Sequence, residues 1–341
     1  MADDDAGGED ELIATIFAPL AAGFAGALGL KDDCAVLSPP PGEDLVLTTD
    51  AVAAGVHFFA DDGPADIAWK AVAVNVSDLV AKGARPVAYL LSLSFPDRPK
   101  QSWLDGFARG LAEAQAAFGI ALAGGDTDRR PGPLSATVTA IGAVPHGCAV
   151  RRTTARPGDV LFVSGTLGDS ALGLRLRLQP GWASDLGLEV AGVEALISRY
   201  LRPEPRLALA PHLLAFATAA MDVSDGLIKD CGRMARASGI GAHIDARTLP
   251  LSFAFRAAFD RQPALLEVAL TGGDDYEVLA AVPPANAVDF RRAAAESGIS
   301  VTAVGRLSDG AGVSIVGSDG KPLEVASTGW DHFPLSPRSR P

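Results

Sequence analysis

Along this chain, short apolar runs with a period of two alternate with longer stretches in which apolar residues recur every three or four positions. These are the patterns of strands and of amphipathic helices. Residues 10–18 predict a short helix, then a turn and loop. "CAVLSPPPGEDLVLTTD" (34–50) predicts two strands joined by a Pro/Gly turn. From 64 to 83 the period is helical, with Gly83 as the expected C-cap. "PVAYLLSLSF" reads as a strand, and residues 100–118 as a helix closed by Gly119. "IALAGGD" reads as a buried strand running into a glycine turn, and "LSATVTAIGAV" as another strand, so the first half is β-β-α-β-α-β-β. After the junction "RRTTARPGDVLFVSG" a second pattern begins. Helices are expected near 168–178, 191–200, 205–217, 226–238, 252–260 and 284–297. Strands are expected near 159–164, 219–223, 241–245, 277–282, 300–306 and 312–316. The pattern divides the chain into residues 9–150 and 151–333, with a disordered tail at 1–8 and a frayed one at 334–341.

Composition adds limits to that outline. A length of 341 residues fits two domains of ~100–200 residues each. The net charge of −12 repels nucleic-acid backbones, so any phosphorylated ligand must be met locally by cations or backbone N–H groups. Cys34, Cys148 and Cys231 are scattered, which argues against a disulfide framework or a zinc site and reads as small buried hydrophobes in a reducing cytoplasm. The acidic start "MADDDAGGEDE" is unlike a signal peptide. Residues 12–30 carry no charge, but they are rich in Ala and Gly and broken by Pro19, which is poor for a membrane span. A soluble cytoplasmic protein is expected.

P-loop, GxGxxG, GxSxG and HExxH motifs are absent, and the histidines are dispersed. What remains is a set of aspartates at the ends of apolar elements: Asp32, Asp33, Asp50, Asp78, Asp126, Asp222, Asp225, Asp274 and Asp275. In "TAAMDVSDGLIKD" the period of two puts Asp222 and Ser224 on one face; Ser224 or Asp225 reads equally as a helix N-cap or as part of a site. In "AWKAVAVNVSDLVAKG" helical spacing aligns Ala71, Asn75, Asp78 and Lys82, and Asp78 either pairs with Lys82 or serves a site. "LVLTTD" offers two hydroxyls and a carboxylate, or is simply a strand ending. His57 in "AGVHFF" is structural or functional. Acidic clusters without Cys or His partners describe oxygen-rich coordination, suited to Mg²⁺ or Mn²⁺ bridging phosphates, and hence metal-assisted phosphoryl transfer.

Ten segments in order resemble the bacterial thiamine-monophosphate kinases, of the aminoimidazole ribonucleotide synthetase superfamily. They are "DELIATIFAPL", "DDCAVL", "LTTDAVAAGVHF", "WKAVAVNVSDLVAKGARP", "AGGDTDR", "RRTTARPGDVLFVSGTLGDSALGL", "RPEPR", "MDVSDGLIKDCGRMARASGIGAHID", "TGGDDYEVL" and "TGWDHF". The resemblance implies an α+β N-terminal domain that binds ATP and metal and dimerises through its sheet, an α/β C-terminal domain, and an active site between them. It implies transfer of phosphate from ATP to thiamine monophosphate, the final step in making thiamine diphosphate, with several Mg²⁺ ions. Carried over by position, Asp32, Thr48, Thr49, Asp50, Asp78, Asp126, Asp222 and Asp225 are metal ligands. Gly125, Asp126, Arg152 and Ser224 meet ATP, while His57, Asp274 and Trp330 meet the substrate. Asp78, Asp126, Asp222 and Arg152 form the catalytic set. The acceptor is an anionic phosphate oxygen, so direct in-line transfer needs no general base and no phosphoenzyme. Lys31 and Asp274 stand where the family usually has Gly and Glu. The alternatives are another ATP-dependent enzyme of the superfamily or a non-catalytic nucleotide-binding regulator.

Overall fold

A computed structural model describes residues 8–317 and 319–332. The expected tails at 1–8 and 334–341 lie, apart from Gly8, outside these residues. Contacts divide the chain into two compact units, Met1–Val80 with Ala84–Ala149 and Ala81–Gly83 with Val150–Pro341.

The first unit opens with α1 (Glu9–Leu12), a π turn and α2 (Ala18–Ala21), then a 3-10 segment, Ala25–Leu30. Pro19 does not stop the helix at 18 as expected, because it sits in the first turn of α2, where a missing N–H removes no bond. β1 (Glu43–Ala53), α3 (Pro64–Ala81), β2 (Arg85–Phe95), α4 (Gln101–Phe118), β3 (Ala121–Arg129) and β4 (Ser135–Pro145) follow. The sheet order is β1-β4-β2-β3, with β2 and β3 parallel through the α4 crossover and the other pairs antiparallel. α3 starts on Pro64 with Asp66 in its first turn, and apolar residues all round it match its near-complete burial.

Three expectations are corrected here. No strand forms around Cys34, because Pro39, Pro40 and Pro41 supply no N–H to a ladder and the segment is instead held by Val36 N–H on the Gly26 carbonyl. The unit is therefore β-α-β-α-β-β. The glycines of "AGGD" do not turn; β3 runs through them to Arg129, with Gly125 opposite Leu91. A Cβ on Gly125 would lie 1.8 Å from the Leu91 carbonyl oxygen, so glycine is required there by strand contact. Cys34 and Cys148 are exposed, and only Cys231 is buried, its thiol pushed up to about 12 by desolvation.

The second unit contains β5 (Val160–Ser164), α5 (Asp169–Leu178), α6 (Trp182–Asp185), α7 (Val190–Leu201), α8 (Ala210–Phe216), β6 (Ala219–Val223), α9 (Leu227–Ser238) and β7 (Gly241–Asp245). It continues with α10 (Phe253–Arg261), α11 (Leu266–Thr271), β8 (Glu277–Val282), α12 (Ala287–Glu296), β9 (Val301–Ser308) and β10 (Gly312–Val316). The sheet order is β10-β7-β9-β5-β8-β6, mixed, with only β10 and β7 parallel. A continuous apolar core joins Leu161 and Val163 of β5 to Leu172 of α5, Met234 of α9 and Phe255 of α10. The two units thus make a two-domain fold of sheets and helices. Among the described residues, no helix is long and apolar enough to cross a membrane.

The two neighbouring glycines of β3 separate cleanly. Gly125→Ala should lower stability by about 1–3 kcal/mol through overpacking. Gly124→Ala, whose Cβ meets only Leu90 Cδ2 at 3.4 Å, should stay within about 0.5 kcal/mol. Urea unfolding of both variants checks this; equal effects would refute the strand-contact account.

Candidate active site

β6 is an edge strand ending at Val223, and Ser224, Asp225 and Gly226 turn the chain into α9. Neither Ser224 nor Asp225 caps the helix: the N-cap is Gly226, at φ 113°, and a Cβ there would lie 2.6 Å from the Thr271 carbonyl oxygen. The turn is held from inside the helix. Asp230, fully buried, accepts from the Ser224 N–H at 3.1 Å and the Asp225 N–H at 2.9 Å through Oδ2, and from Arg233 Nη1 at 2.7 Å through Oδ1. Burial raises the Asp230 carboxyl, against the pull of the Asp225 N–H and Arg233. Asp225 meets Arg233 Nη2 at 2.5 Å and Lys229 Nζ at 3.4 Å. Asp222 is buried within the strand, in register with Val278.

Two other segments dock on this turn through the backbone. The Asp274 N–H donates to the Ser224 carbonyl and the Tyr276 N–H to the Val223 carbonyl, each at 2.9 Å. Asp274 (φ 68°) and Tyr276 (φ 51°) are left-handed, a conformation that costs about 1–3 kcal/mol each in a non-glycine residue. The Tyr276 hydroxyl donates to Asp274 Oδ1 at 3.2 Å and so orients that carboxylate. The Trp330 backbone N–H donates to the Asp225 carbonyl at 3.0 Å, Lys229 Nζ donates to the Trp330 carbonyl, and Trp330 as a residue is 43% exposed. Ser224, Asp225, Asp274 and Trp330, far apart in sequence, therefore meet at the end of β6. Arg152 is exposed, and its carbonyl accepts from Ser238 Oγ at 3.2 Å at the far end of α9.

A buried network follows in the same loop, built on Glu277, which no sequence motif marks, and on Asp275, which stands among the aspartates at element ends. Glu277 is fully buried and accepts from Ser164 Oγ (2.6 Å), Arg199 Nη2 (2.9 Å), Arg206 Nε (2.8 Å) and Arg206 Nη2. Asp275 accepts from the Gly168 N–H through both oxygens, at 3.0 and 2.8 Å, and Arg199 also donates to the Asp275 carbonyl at 3.3 Å. The available signal was the pairing of "RPEPR" with the carboxylates of "DDYE", at a separation that no local pattern links.

In the first unit, Thr48 Oγ1 donates to Asp78 Oδ2 at 2.6 Å, and the Asp50 N–H donates to Asn75 Oδ1 at 2.9 Å. The hydroxyl of Thr49 donates to the Val138 carbonyl at 3.1 Å. Lys82, which belongs to the second unit, donates from Nζ to the Ala220 carbonyl of the same unit at 2.8 Å. His57 Nδ1 accepts from the Ala53 N–H at 3.1 Å, which places the neutral ring's proton on Nε2. Asp32 is exposed in the segment before β1. Asp126 is exposed on β3, and the row Asp50–Val138–Leu91–Gly125 puts it one residue away from the level of Asp50 but on the opposite edge. Three strand spacings of ~4.8 Å separate those edges by about 14 Å along the sheet, so one ion cannot bridge Asp50 and Asp126 of the same sheet. Among the described residues, no group of three or more His, Cys, Asp or Glu is assembled to hold a metal. The donors offered by these positions are carboxylate and hydroxyl oxygens, the chemistry that suits Mg²⁺.

Residues 31–144 match the family model for the AIR synthase related protein, N-terminal domain, and residues 156–318 that for its C-terminal domain. The chain is 42% identical to a thiamine-monophosphate kinase of Caulobacter vibrioides over 95% of its length and 90% of the relative's. It is also 42% identical to that of Escherichia coli, over 90% of this chain and 92% of that one. Among solved structures, a thiamine-monophosphate kinase from Stenotrophomonas maltophilia has a TM-score of 0.78 at 42% identity, covering 86% of this chain and 91% of that one. AaThiL complexed with AMPPCP and TMP has a TM-score of 0.74 at 34% identity, covering 96% and 97%. The hydrogenase maturation protein HypE in complex with ATP reaches a TM-score of 0.76 at only 20% identity, a likeness of fold alone.

Asp275 supplies a test by pH. Desolvation pushes its carboxyl well above the usual range, with Asp169 and Glu277 adding to the rise and the Gly168 N–H and Arg199 opposing it. A carboxyl raised on folding stabilises fully below its unfolded pKa of about 4, and that contribution is lost as pH rises through the folded value. Asp275→Asn removes the loss. The urea midpoint of the variant relative to the parent should therefore rise as pH climbs above about 4. A difference that stays constant with pH would show that Asp275 titrates normally.

Proposed function

The chain belongs to the AIR synthase related family and, within it, to the thiamine-monophosphate kinases; from that membership we propose that it transfers the γ-phosphoryl group of ATP to thiamine monophosphate, yielding thiamine diphosphate and ADP. The observation that carries this reading is the 42% identity to curated kinases over 90–95% of the chain, which spans both units. AaThiL, complexed with AMPPCP and TMP, supports the same pair of ligands.

In this reading Asp32, Thr48, Thr49, Asp50, Asp78, Asp126, Asp222 and Asp225 hold Mg²⁺. When bound, Mg²⁺ neutralises phosphate oxygens and so lets two polyanions approach. Thr48 keeps the Asp78 carboxylate oriented through its hydroxyl. Gly125, Asp126, Arg152 and Ser224 bind the nucleotide, and the Arg152 guanidinium offsets charge on the transferring group. His57, whose Nδ1 is held by the Ala53 N–H, meets the substrate. Asp274 faces the substrate with a side chain one methylene shorter than Glu, and the Tyr276 hydroxyl sets its direction. The exposed Trp330 indole stacks on the cationic aromatic rings of the substrate. Because the attacking phosphate oxygen is already anionic, transfer is direct and needs no general base.

The edge strand β1, with Leu47 62% exposed, fits pairing of this sheet with a second copy, and we take the enzyme to be a cytoplasmic homodimer.

Purified protein given ATP, Mg²⁺ and thiamine monophosphate should form thiamine diphosphate, read by chromatography; absence of product would overturn the assignment. Asp78→Asn should cut kcat by about 100-fold or more. Its melting temperature should stay near the parent's, because Asn preserves the acceptor for Thr48. With γ-labelled ATP alone, no stable label should appear on the protein.

A further inference from the structure

α9 carries Lys229, Arg233 and Arg236 at spacing i, i+4 and i+7, which puts all three on one helical face. The opposite face buries Leu227, Ile228, Cys231, Met234 and Ala235. In a chain of net charge −12 such a stripe calls for a counter-charge, and only part of it is supplied. Lys229 and Arg233 meet Asp225, and Arg233 also meets Asp230. Among the described residues neither Arg152 nor Arg236 is in an ion pair. Arg152, Arg233, Arg236 and Ala237 line one cavity of about 320 Å³. Ser238 Oγ, bonded to the Arg152 carbonyl at 3.2 Å, holds the junction segment against the end of the helix, so the cavity wall is built from two separate stretches of chain.

We propose that this cavity is a polyphosphate subsite, in which Arg233 and Arg236 join Arg152 in binding the phosphate chain of the nucleotide. The proposal rests on the kinase reading above and adds two residues that motif matching does not assign. Guanidinium groups present paired N–H donors that match phosphate oxygens, and three of them converge where no neighbouring carboxylate neutralises Arg152 or Arg236. The volume falls within the ~300–1,000 Å³ usual for small-ligand pockets. Arg233 makes the subsite more than a surface patch, because the same side chain bonds Asp225 and the buried Asp230. It fixes the phosphate-binding wall to the turn that carries Ser224 and Asp225.

Arg236 is exposed and makes no bond to the turn, so Arg236→Gln separates anion binding from folding. Inorganic tripolyphosphate, titrated by calorimetry, and the KM for ATP are the two measurements. Arg236→Gln should weaken tripolyphosphate binding and raise the ATP KM, each about five- to tenfold, with kcat within about twofold. The KM for thiamine monophosphate should not change. Arg233→Lys, which keeps the charge and loses the fork, should shift the same two constants in the same direction while the melting curve stays cooperative. If the parent makes thiamine diphosphate but Arg236→Gln leaves both constants unchanged, the subsite is refuted and the kinase reading stands. If the parent makes no product yet binds tripolyphosphate in an Arg236-dependent way, the subsite stands and the kinase reading falls.

Discussion

A carboxylate with no access to water must be paired, and at Asp230 that requirement organises the whole end of β6. Its two oxygens take the N–H groups of Ser224 and Asp225 and one arm of Arg233, so the turn has a single arrangement. Once the turn is set, its carbonyls become docking points. Val223 and Ser224 receive the left-handed loop carrying Asp274, and Asp225 receives Trp330. Segments some 50 and 100 residues downstream are thereby positioned by ordinary backbone hydrogen bonds, each of which would cost about 1–3 kcal/mol if one buried partner were left unmade.

The loop itself needs further support, because Asp274 and Tyr276, two left-handed positions on either side of Asp275, are not glycine and store strain. The buried Glu277, gripped by Arg199, Arg206 and Ser164, anchors the start of β8 directly after Tyr276. Such a buried ion pair contributes little compared with an apolar replacement, yet losing one partner costs about 3–5 kcal/mol. Its value here is geometric, since it permits few alternative paths for the chain that carries Asp274. The strain and the polar network therefore belong together, one holding what the other makes unfavourable.

Electrostatics sets the second constraint. An acidic surface cannot gather ATP and a phosphate ester by long-range attraction, so every favourable charge must act at short range. In the proposed reading, oxygen donors on β1, α3, β3 and β6 would hold cations, and the arginines of α9 and of the junction would supply fixed positive charge. The same helix thus secures the turn with Asp230 on its inner face and presents guanidinium groups on its outer face.

Most of the elements were legible in local pattern, because strand and helix periods reflect which side chains face a core, and that information lies within a few residues. The second-unit strands 219–223, 241–245, 277–282 and 312–316 coincide with β6, β7, β8 and β10. Errors came where a local signal has more than one physical cause. The glycines of "AGGD" mark a close strand contact instead of a turn, and Cys34 precedes a proline run that cannot join a ladder. The aspartates at element ends, and their likeness to one family of kinases, were also visible in order along the chain. Asp230 and Glu277 carried no such signal, since an acidic residue in a polar helix or at the start of an apolar strand is locally unremarked; Asp275 was visible as an aspartate but not as a buried one. Their importance comes from burial and from partners brought close only by folding. Local chemistry thus decided the elements and the candidate residues; contacts between distant segments decided which of them meet, because desolvated charges accept only the partners that the packed chain places beside them.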